Sequence, residues 1–224
     1  MLCECLDLQS GFLKARGIKM DKKDILSFLT NDIHSTVFAT NDRDGFPHTC
    51  VIDIMLCDDS SLYFLTSKGK DFYNRVNNQL FVSISGMKGN DTLSTVVVSV
   101  RGKVRELGNN LVGEVFRQNP YMEKIYPTSA SREMLTVFQL FEGEGEFFDL
   151  RQQPPFHQSF SFGGKKVTPV GYKILDTCNQ CGKCLSACPS KCIEQGTPFH
   201  IREENCIHCG TCYKTCPYTA IRKL

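Results

Sequence analysis

The sequence has no apolar run close to the roughly 20 residues that a membrane-spanning helix needs. Its first residues, MLCECLDLQSGFLKARG, carry scattered charges and no apolar centre, which argues against a secretory signal. The formal net charge is only +2, so the chain lacks the strong excess of one sign that marks many proteins binding nucleic acid or anionic membranes. These absences predict a cytoplasmic protein that binds neither nucleic acid nor a membrane.

Cysteine, by contrast, is abundant, and nine of the 13 cysteines lie between residues 178 and 216. Clustered cysteines in a cytoplasmic chain more often bind metal than form disulfides. Cys50 and Cys57 stand apart and are interpreted as buried small side chains rather than a redox pair. Cys3 and Cys5 belong to a predicted N-terminal extension, residues 1–20, interpreted as a mobile tail, with a redox pair as the alternative.

The clustered cysteines form two runs with one spacing. CNQCGKCLSACP and CIHCGTCYKTCP both read C-x2-C-x2-C-x3-C-P, and they begin 28 residues apart. This is the spacing of bacterial 4Fe–4S sites, whereas structural zinc, the alternative, needs four ligands in two pairs. The predicted ligands are Cys178, Cys181, Cys184, Cys188, Cys206, Cys209, Cys212 and Cys216. Aligning the runs sets Cys192 against Ala220, which indicates a packed non-ligand.

Residues 172–224 resemble a bacterial ferredoxin with two 4Fe–4S clusters, a small α+β domain. The resemblance implies that the fourth cysteine of each run serves the cluster of the other run. One cluster would then use Cys178, Cys181, Cys184 and Cys216, and the other Cys206, Cys209, Cys212 and Cys188. Between the runs, IEQGTPFHIREE predicts a hairpin that turns at Gly196 and Pro198.

Residues 21–150 show many short strand patterns and few helices. MDKKDILSFL, KDFYNRVNN and NNLVGEVFRQN predict helices, the first capped by Asp21 and the last by asparagine. STVFAT, HTCVIDIML, SLYFLTS, QLFVSIS, STVVVSVRGKV and MLTVFQLFEGEGEFFDL have strand character, which predicts a mainly β, antiparallel barrel with flanking helices. Residues 151–171 are predicted to be a linker, marked by Pro154-Pro155 and Gly163-Gly164, with phenylalanines that pack against another surface.

The order FATNDRDGFPHTCVID, LYFLTSKGKDFYNRVNNQLFVSIS and VSVRGKV resembles the FMN-binding split barrel of the pyridoxamine 5′-phosphate oxidase-like group. The resemblance implies an FMN whose isoalloxazine lies along His48, Thr49, Cys50 and Val51. It also implies a homodimer with FMN near the subunit interface. Haem and a deazaflavin, which relatives bind, stay alternatives. The segment after the barrel departs from that of the oxidase, which argues against oxidation of pyridoxamine phosphate.

TSKGK leaves a predicted strand and enters a predicted helix. Thr66 and Ser67 offer hydroxyls, Lys68 and Lys70 offer charge, and the glycine between them lets the backbone approach closely. A helix start adds free N–H groups, so the segment can hold a phosphate. With the resemblance, this predicts the FMN phosphate site; a solvated basic turn is the alternative.

A chain with both cofactors can convert single electrons into a two-electron reduction. The sequence therefore predicts a flavo-iron–sulfur oxidoreductase of an anaerobe, in which electrons from a protein such as ferredoxin pass through the clusters to FMN and to an organic acceptor. An electron carrier between partner proteins and a redox sensor or store are the alternatives. No catalytic residue is assigned; the candidate proton donors, by residue type alone, are Tyr73, Tyr121, Tyr126 and His48.

Overall fold

A computed structural model describes residues 19–224, so Cys3, Cys5 and nearly all of the predicted N-terminal extension lie outside the described residues. The strands are β1 (Ser35–Asn41), β2 (Pro47–Asp58), β3 (Ser61–Ser67), β4 (Phe81–Lys88), β5 (Val96–Gly108), β6 (Leu135–Asp149), β7 (Phe156–Phe162), β8 (Tyr172–Ile174), β9 (Ile193–Glu194), β10 (His200–Ile201) and β11 (Ile221–Lys223). The α-helices are α1 (Lys22–Phe28), α2 (Asp71–Gln79), α3 (Val112–Gln118), α4 (Met122–Ile125), α5 (Ser129–Arg132), α6 (Lys183–Ala187) and α7 (Thr211–Thr215). A π-helical turn spans Leu29–Ile33, and 3₁₀ turns span Thr92–Ser94 and Glu203–Asn205.

Six antiparallel strands close into a barrel, which confirms the predicted fold class. Neighbours run in the order β3, β2, β1, β4, β5 and β6, and a further pairing of β3 with β6 closes the ring. Closure depends on the length of β6: its first part, Leu135 to Leu140, pairs with β3, and its second part, Gly143 to Asp149, pairs with β7. The same strand therefore closes the barrel and carries an extra strand outside the closed ring.

Aromatic side chains fill the barrel. Phe38, Phe64 and Phe138 are fully buried, and Phe72 from α2 joins them. The rings of Phe64 and Phe138 stack with centroids 5.4 Å apart, and Phe38 meets Phe64 edge-on at 4.8 Å. Pairs in these arrangements contribute about 0.5–1.5 kcal/mol beyond their buried area. The aromatic core therefore takes its side chains from α2, from β1 and from β3 and β6, the two strands whose pairing closes the barrel.

Of the two predicted helix caps, one is correct and the other is wrong. Asp21 caps α1 as predicted, since its side chain accepts a hydrogen bond from the Lys23 N–H at 3.2 Å. The predicted asparagine cap of α3 is wrong, because the helix begins only after Leu111, which makes no side-chain cap. The buried faces of Val115 and Phe116 decide where this helix packs and override the local capping preference.

The predicted linker 151–171 needs a correction, because β7 occupies its centre and pairs with β6 in the barrel sheet. Phe160 and Phe162 lie opposite Gly145 and Gly143, and both rings are buried in the barrel core. A Cβ atom added to either glycine would lie 2.7 Å from a ring Cζ. The phenylalanines therefore pack against β6, as their apolar character predicted, but as a strand rather than a connecting segment.

The C-terminal residues consist of two copies of one backbone pattern. Left-handed φ angles recur 28 residues apart, at Gln180 and His208, at Gly182 and Gly210, and at Lys191 and Thr219. Helices α6 and α7 follow at equivalent positions, and β8 pairs with β11 as β10 pairs with β9. The predicted hairpin is confirmed by the β9–β10 pair. Within residues 19–224, no helix is long and apolar enough to span a membrane.

Candidate functional site

Two cavities in the C-terminal domain are walled by the cysteine runs. The first is lined by Cys178, Cys181, Cys184 and Cys216. The second is lined by Cys188, Cys206, Cys209 and Cys212. The fourth cysteine of each run thus faces the cavity of the other run, in the crossed arrangement that the resemblance implies. Ligation itself remains a prediction.

The thiols fit a group of several atoms with positive charge. Burial and the neighbouring thiols Cys206, Cys188 and Cys209 raise the pKa of Cys212 to about 11. In the other cavity, burial and then Cys178 raise the pKa of the Cys184 thiol. Iron charge relieves this cost of ionising neighbouring thiols. Within residues 19–224, no three His, Cys, Asp or Glu side chains are grouped closely enough to hold a single metal ion.

Cys192 is a fifth thiol in the wall of the second cavity, and its Sγ lies 3.5 Å from that of Cys188. Ala220 occupies the equivalent place in the first cavity, and both side chains are buried. A hydrogen bond with Cys206 raises the pKa of the Cys192 thiol. The position therefore accepts a small side chain with no sulfur, as the first cavity demonstrates.

We expect Cys192→Ala to retain the iron content of the parent chain, because the substitution copies the packing around Ala220. Cys209→Ala is the matched control, since it removes a predicted ligand from the same cavity. Iron and acid-labile sulfide, measured after anaerobic purification, should fall in the control and not in Cys192→Ala. An equal loss in both variants would make Cys192 part of the ligand set.

The four predicted flavin contacts on β2 divide between the two faces of the strand. Thr49 and Val51 face outwards, and Val51 is 65% exposed. Cys50 faces the interior opposite the buried Phe38, and His48 shares its side of the strand. Successive side chains of a strand alternate, so a ring lying on one face touches the side chains of only two of the four.

The TSKGK segment forms the predicted turn between β3 and α2. Thr66 is buried, and its hydroxyl has no hydrogen-bond partner within the described residues. The Ser67 hydroxyl accepts a hydrogen bond from the N–H of the turn's glycine at 3.5 Å. Lys68 and Lys70 are exposed, and Lys70 immediately precedes α2. The segment thus begins with a buried hydroxyl that has no partner among the described residues and continues with two exposed positive charges.

Arg75 was missed by the sequence analysis. Its Nε donates a hydrogen bond to the hydroxyl of Thr40, on β1, at 3.0 Å. Burial raises the pKa of the Cys50 thiol, while the charges of Arg75 and Lys70 act in the opposite direction. These three side chains therefore share one end of the barrel. The spacing was available as a signal, because Arg75 follows the first residue of α2 by about one helical turn.

Glu106 of β5 was also missed. Its carboxylate accepts hydrogen bonds from Thr136 at 2.7 Å and from the Tyr73 hydroxyl at 3.3 Å, and it lies 3.8 Å from Lys68 Nζ. It therefore ties α2 to β5 and β6 beneath the TSKGK turn. Two candidate proton donors already have anionic partners, since Tyr73 donates to Glu106 and His48 lies 3.1 Å from Asp42.

A groove of about 450 Å³ crosses the outer face of the barrel. It is lined by β1, β4, β5, β6 and β7 and is bordered by Val167, Thr168 and Val170 of the segment after β7. The Thr168 hydroxyl donates to Glu144 at 2.6 Å and fastens this border. The volume lies in the range of small-molecule sites. None of the eight predicted flavin contacts lines it, although Val37 at its edge pairs with Val51.

Residues 177–220 match the family model of a 4Fe-4S dicluster domain. No curated protein matches the sequence. Among solved structures, a NimC/NimA family protein from Clostridium acetobutylicum is 21% identical, with a TM-score of 0.52 over 64% of this chain and 94% of that chain. A heme binding protein from Mycobacterium smegmatis is 12% identical, with a TM-score of 0.51 over 65% of this chain and 60% of that chain.

A C. acetobutylicum protein related to general stress protein 26, of the pyridoxinephosphate oxidase family, is 13% identical, with a TM-score of 0.48 over 62% of this chain and 95% of that chain. At these identities, the likeness to the first two structures establishes a shared fold. The 4Fe–4S match supports a redox role. The chain joins a six-stranded barrel, with the fold of the NimC/NimA family protein, to a C-terminal segment that matches a 4Fe-4S dicluster domain.

Proposed function

We propose that the chain is a flavo-iron–sulfur oxidoreductase that passes single electrons from two 4Fe–4S clusters to FMN for the reduction of an organic acceptor. The observation that carries the proposal is the pair of cavities, each lined by four predicted ligand thiols, in a domain joined to a barrel with a basic turn. A cluster exchanges one electron and a flavin one or two, so the combination links a one-electron protein donor to two-electron chemistry.

Each ligand set combines three cysteines of one run with the fourth cysteine of the other run, as they line the two cavities. A cluster held by such a set would supply reversible one-electron transfer. The thiols bind the iron, and the left-handed turns at Gln180 and His208 direct the loops around the cavities. Burial of Cys184, Cys206 and Cys212 shields the sites from water, which is one of the factors that set a cluster's reduction potential.

The flavin site of the proposal extends from the TSKGK turn to the outer face of β2. Lys70 and Arg75 bring positive charge to one end of the barrel. Thr66, in the TSKGK turn, has a buried hydroxyl with no partner among the described residues. A phosphate suits this end because charged donors and a helix start favour an anion. The apolar, exposed Val51 then offers a surface for a flat ring. The absorption spectrum of the purified chain separates FMN from haem or a deazaflavin.

A homodimer is part of the proposal. Exposed apolar side chains lie on adjoining strands of the outer face, with Val37 46%, Val51 65% and Met87 61% exposed. Covering such a patch is a common reason for association. Light scattering during size-exclusion chromatography tests it: a dimeric mass is expected, and a monomer that retains flavin would contradict it.

Lys70→Ala is expected to weaken FMN binding about ten- to hundredfold, because a charged hydrogen bond contributes roughly 1.5–3 kcal/mol. Titration of the flavin-free chain with FMN, followed by fluorescence, measures the affinity. Lys103→Ala is the matched control, since Lys103 is an exposed lysine of β5 that pairs with Glu142. Equal affinities in the two variants would mean that the phosphate binds elsewhere.

Anaerobic purification with iron, sulfide and flavin analysis tests the cofactors together. An acceptor screen with reduced ferredoxin or dithionite as donor then tests the activity. Flavin that is reduced and reoxidised only by partner proteins, with no organic acceptor, would favour the alternative of an electron carrier. A chain without bound flavin would overturn the proposal.

A further inference from the structure

Three polar side chains from separate segments meet on the outer face of the barrel. The Tyr121 hydroxyl lies 2.8 Å from the Asp53 carboxylate and 2.8 Å from Nε2 of His34. His34 Nε2 and Asp53 are 3.5 Å apart, and Ser35 donates to the other Asp53 oxygen at 2.6 Å. All three members are partly exposed, so a bound molecule can reach them.

The donors and acceptors of this group form a connected path. Nδ1 of His34 lies 3.2 Å from the Thr30 carbonyl, which only accepts, so this nitrogen carries a proton. The Asp53 carboxylate also only accepts, so the Tyr121 hydroxyl donates to it. With Nδ1 protonated, Nε2 of His34 accepts from the Tyr121 hydroxyl in the neutral ring and donates to it in the imidazolium form. The imidazolium form can therefore replace a proton lost by Tyr121.

The backbone at His34 is strained. Its φ of 61° and ψ of −67° lie close to a γ-turn that is rare for residues with a side chain. It ends the π-helical turn, donates its N–H to Leu29 at 2.9 Å and accepts from the Ile54 N–H at 2.8 Å. Strained residues and π-turns that persist in this way concentrate at functional sites. The strain is independent of the side-chain contacts.

The group lies beside the proposed flavin surface. Asp53 follows Val51 by two residues on β2, and both face outwards, so they are separated by about 7 Å along the strand. Burial and then the hydrogen bond to Asp53 raise the pKa of Tyr121, so its hydroxyl stays protonated at neutral pH. Tyr121 is thus a weak acid, whose proton passes only to a strong base such as the carbanion that forms when a hydride adds to a polarised double bond.

We propose that Tyr121 is the proton donor to the acceptor reduced at the barrel, with Asp53 and His34 as positioning residues; this rests on the proposed flavin function. The acceptor is an organic molecule with a polarised double bond. It takes a hydride, with two electrons, from the reduced flavin and a proton from the Tyr121 O–H. The tyrosinate recovers a proton from Nε2 of the His34 imidazolium, which leaves a neutral ring with its proton on Nδ1, and water then returns a proton to Nε2.

Tyr121→Phe tests this inference, with Tyr126→Phe as the matched control on the same stretch of chain. We expect acceptor reduction to slow about 10²–10⁴-fold in Tyr121→Phe alone. Reduction of the bound flavin by dithionite should stay unchanged. The emission of bound flavin should rise, because a phenol ring beside a flavin quenches it. Asp53→Asn should raise the solvent isotope effect on acceptor reduction.

Unchanged acceptor reduction and unchanged emission in Tyr121→Phe would overturn the inference while leaving the proposed function intact. Absence of flavin from the parent chain would instead overturn the proposed function, and it is detected before any variant is made. Should Tyr121→Phe fail to fold, Asp53→Asn decides, because it keeps the tyrosine ring and changes only the carboxylate; an isotope effect equal to that of the parent would then overturn the inference.

The two cysteine loops have equivalent backbones but make different contacts with the rest of the chain. Gln180, between the first two cysteines of the first run, is exposed. His208, its equivalent, packs edge-on against His157 of β7, with ring centroids 4.7 Å apart. His208 also lies against Gly171, where an added Cβ would approach its ring to 2.9 Å. Only the second loop is therefore in contact with the barrel through this position.

Further contacts hold the same interface. The Asn205 amide donates to the Pro155 carbonyl at 3.2 Å, and the 3₁₀ turn at Glu203–Asn205 packs against β7. His157 is buried and shares the outer face of the sheet with Ser159 at the groove. Its ring lies tilted against that of Phe148, with the centroids 4.5 Å apart. The second cavity is thus connected to the barrel by packed side chains.

From these contacts we infer that the cavity of Cys188, Cys206, Cys209 and Cys212 is the one coupled to the barrel, through His208 and His157. The cavity of Cys178, Cys181, Cys184 and Cys216 is then the outer one, open to a donor protein. This inference also rests on the proposed function, but the contact between the loop and β7 does not require a flavin.

His157→Ala tests the inference, with the exposed His200→Ala as control. The potential of one cluster, followed by electron paramagnetic resonance during a redox titration, should shift in His157→Ala and not in the control. The shift should persist when Cys181→Ser removes the outer cluster and vanish when Cys209→Ser removes the inner one. His208→Gln, which copies Gln180, should reproduce it.

A shift of both clusters, of neither, or of the cluster that Cys181→Ser removes would overturn the assignment. Should the cysteine variants fail to fold, hydrogen exchange at Glu203–Asn205 decides in the intact chain. Exchange there should rise in His157→Ala, and equal exchange in His157→Ala and His200→Ala would overturn the coupling.

Discussion

Replacing Cys181 and Cys209 by alanine together is expected to remove nearly all iron from the anaerobically purified chain. Two 4Fe–4S clusters contain about eight iron and eight sulfide. Each cavity loses one of its four predicted ligand thiols in this variant, since Cys181 lines one cavity and Cys209 lines the other. Iron and sulfide analysis measures the loss. A parent chain with about two zinc and no sulfide would contradict the premise and return the site to structural zinc.

The same variant should unfold the C-terminal domain. Its buried core consists of Ile174, Cys184, Cys192, Ile193, Phe199, Cys206, Cys212 and Ile221. Half of these residues are cysteines, so the domain by itself buries little apolar surface, and binding of the proposed clusters would supply much of its folding energy. Limited proteolysis should leave a resistant barrel and no fragment from residues 172–224. Survival of that fragment in iron-free protein would contradict this reasoning.

Flavin chemistry separates the domains in this variant. FMN binding and bleaching by dithionite should persist, because the barrel has a core of its own. Reduction through ferredoxin should stop, since electrons no longer have an entry point. Stopped-flow absorbance at the flavin band follows both reactions. If ferredoxin reduces the flavin equally fast in the variant and the parent, the clusters lie off the path.

Phe64→Ala is expected to lower the free energy of unfolding of the barrel by about 3–5 kcal/mol. Phe64 is fully buried and its ring contacts Phe38, Phe72 and Phe138. Because small domains have only about 5–15 kcal/mol in total, this one change removes a large share. Urea unfolding of the flavin-free chain, followed by far-ultraviolet circular dichroism, measures it.

Leu93→Ala is the control for the core. Leu93 is 71% exposed, so its truncation should change the free energy of unfolding by no more than about 0.5 kcal/mol. Similar urea midpoints for the two variants would contradict the barrel core as described.

The sequence by itself determined what depends on local spacing. The C-x2-C-x2-C-x3-C-P repeat led to the dicluster domain, because ligand spacing in a short loop is written directly in the residue order. Alternation and turn residues led to the antiparallel barrel, and Asp21 marked the start of α1. FMN, the ligand roles and the dimer remain predictions.

Only the tertiary structure decided what depends on residues far apart in the chain. The segment with Phe160 and Phe162 forms a strand beside β6, outside the closed ring, because Gly143 and Gly145 on β6 leave room for the two rings. Arg75 reaches the end of the barrel at Thr40, and His208 meets the barrel at His157.

The alternation of side chains along β2 is the clearest example of a feature that only the tertiary structure decided. The residue order suggested one continuous contact from His48 to Val51, but pairing with β1 sends alternate side chains inwards and outwards. The same outward face carries Asp53 to Tyr121 and His34, 68 and 19 residues away in the chain. Spacing along the chain cannot encode such meetings, because they depend on how strands pair and close.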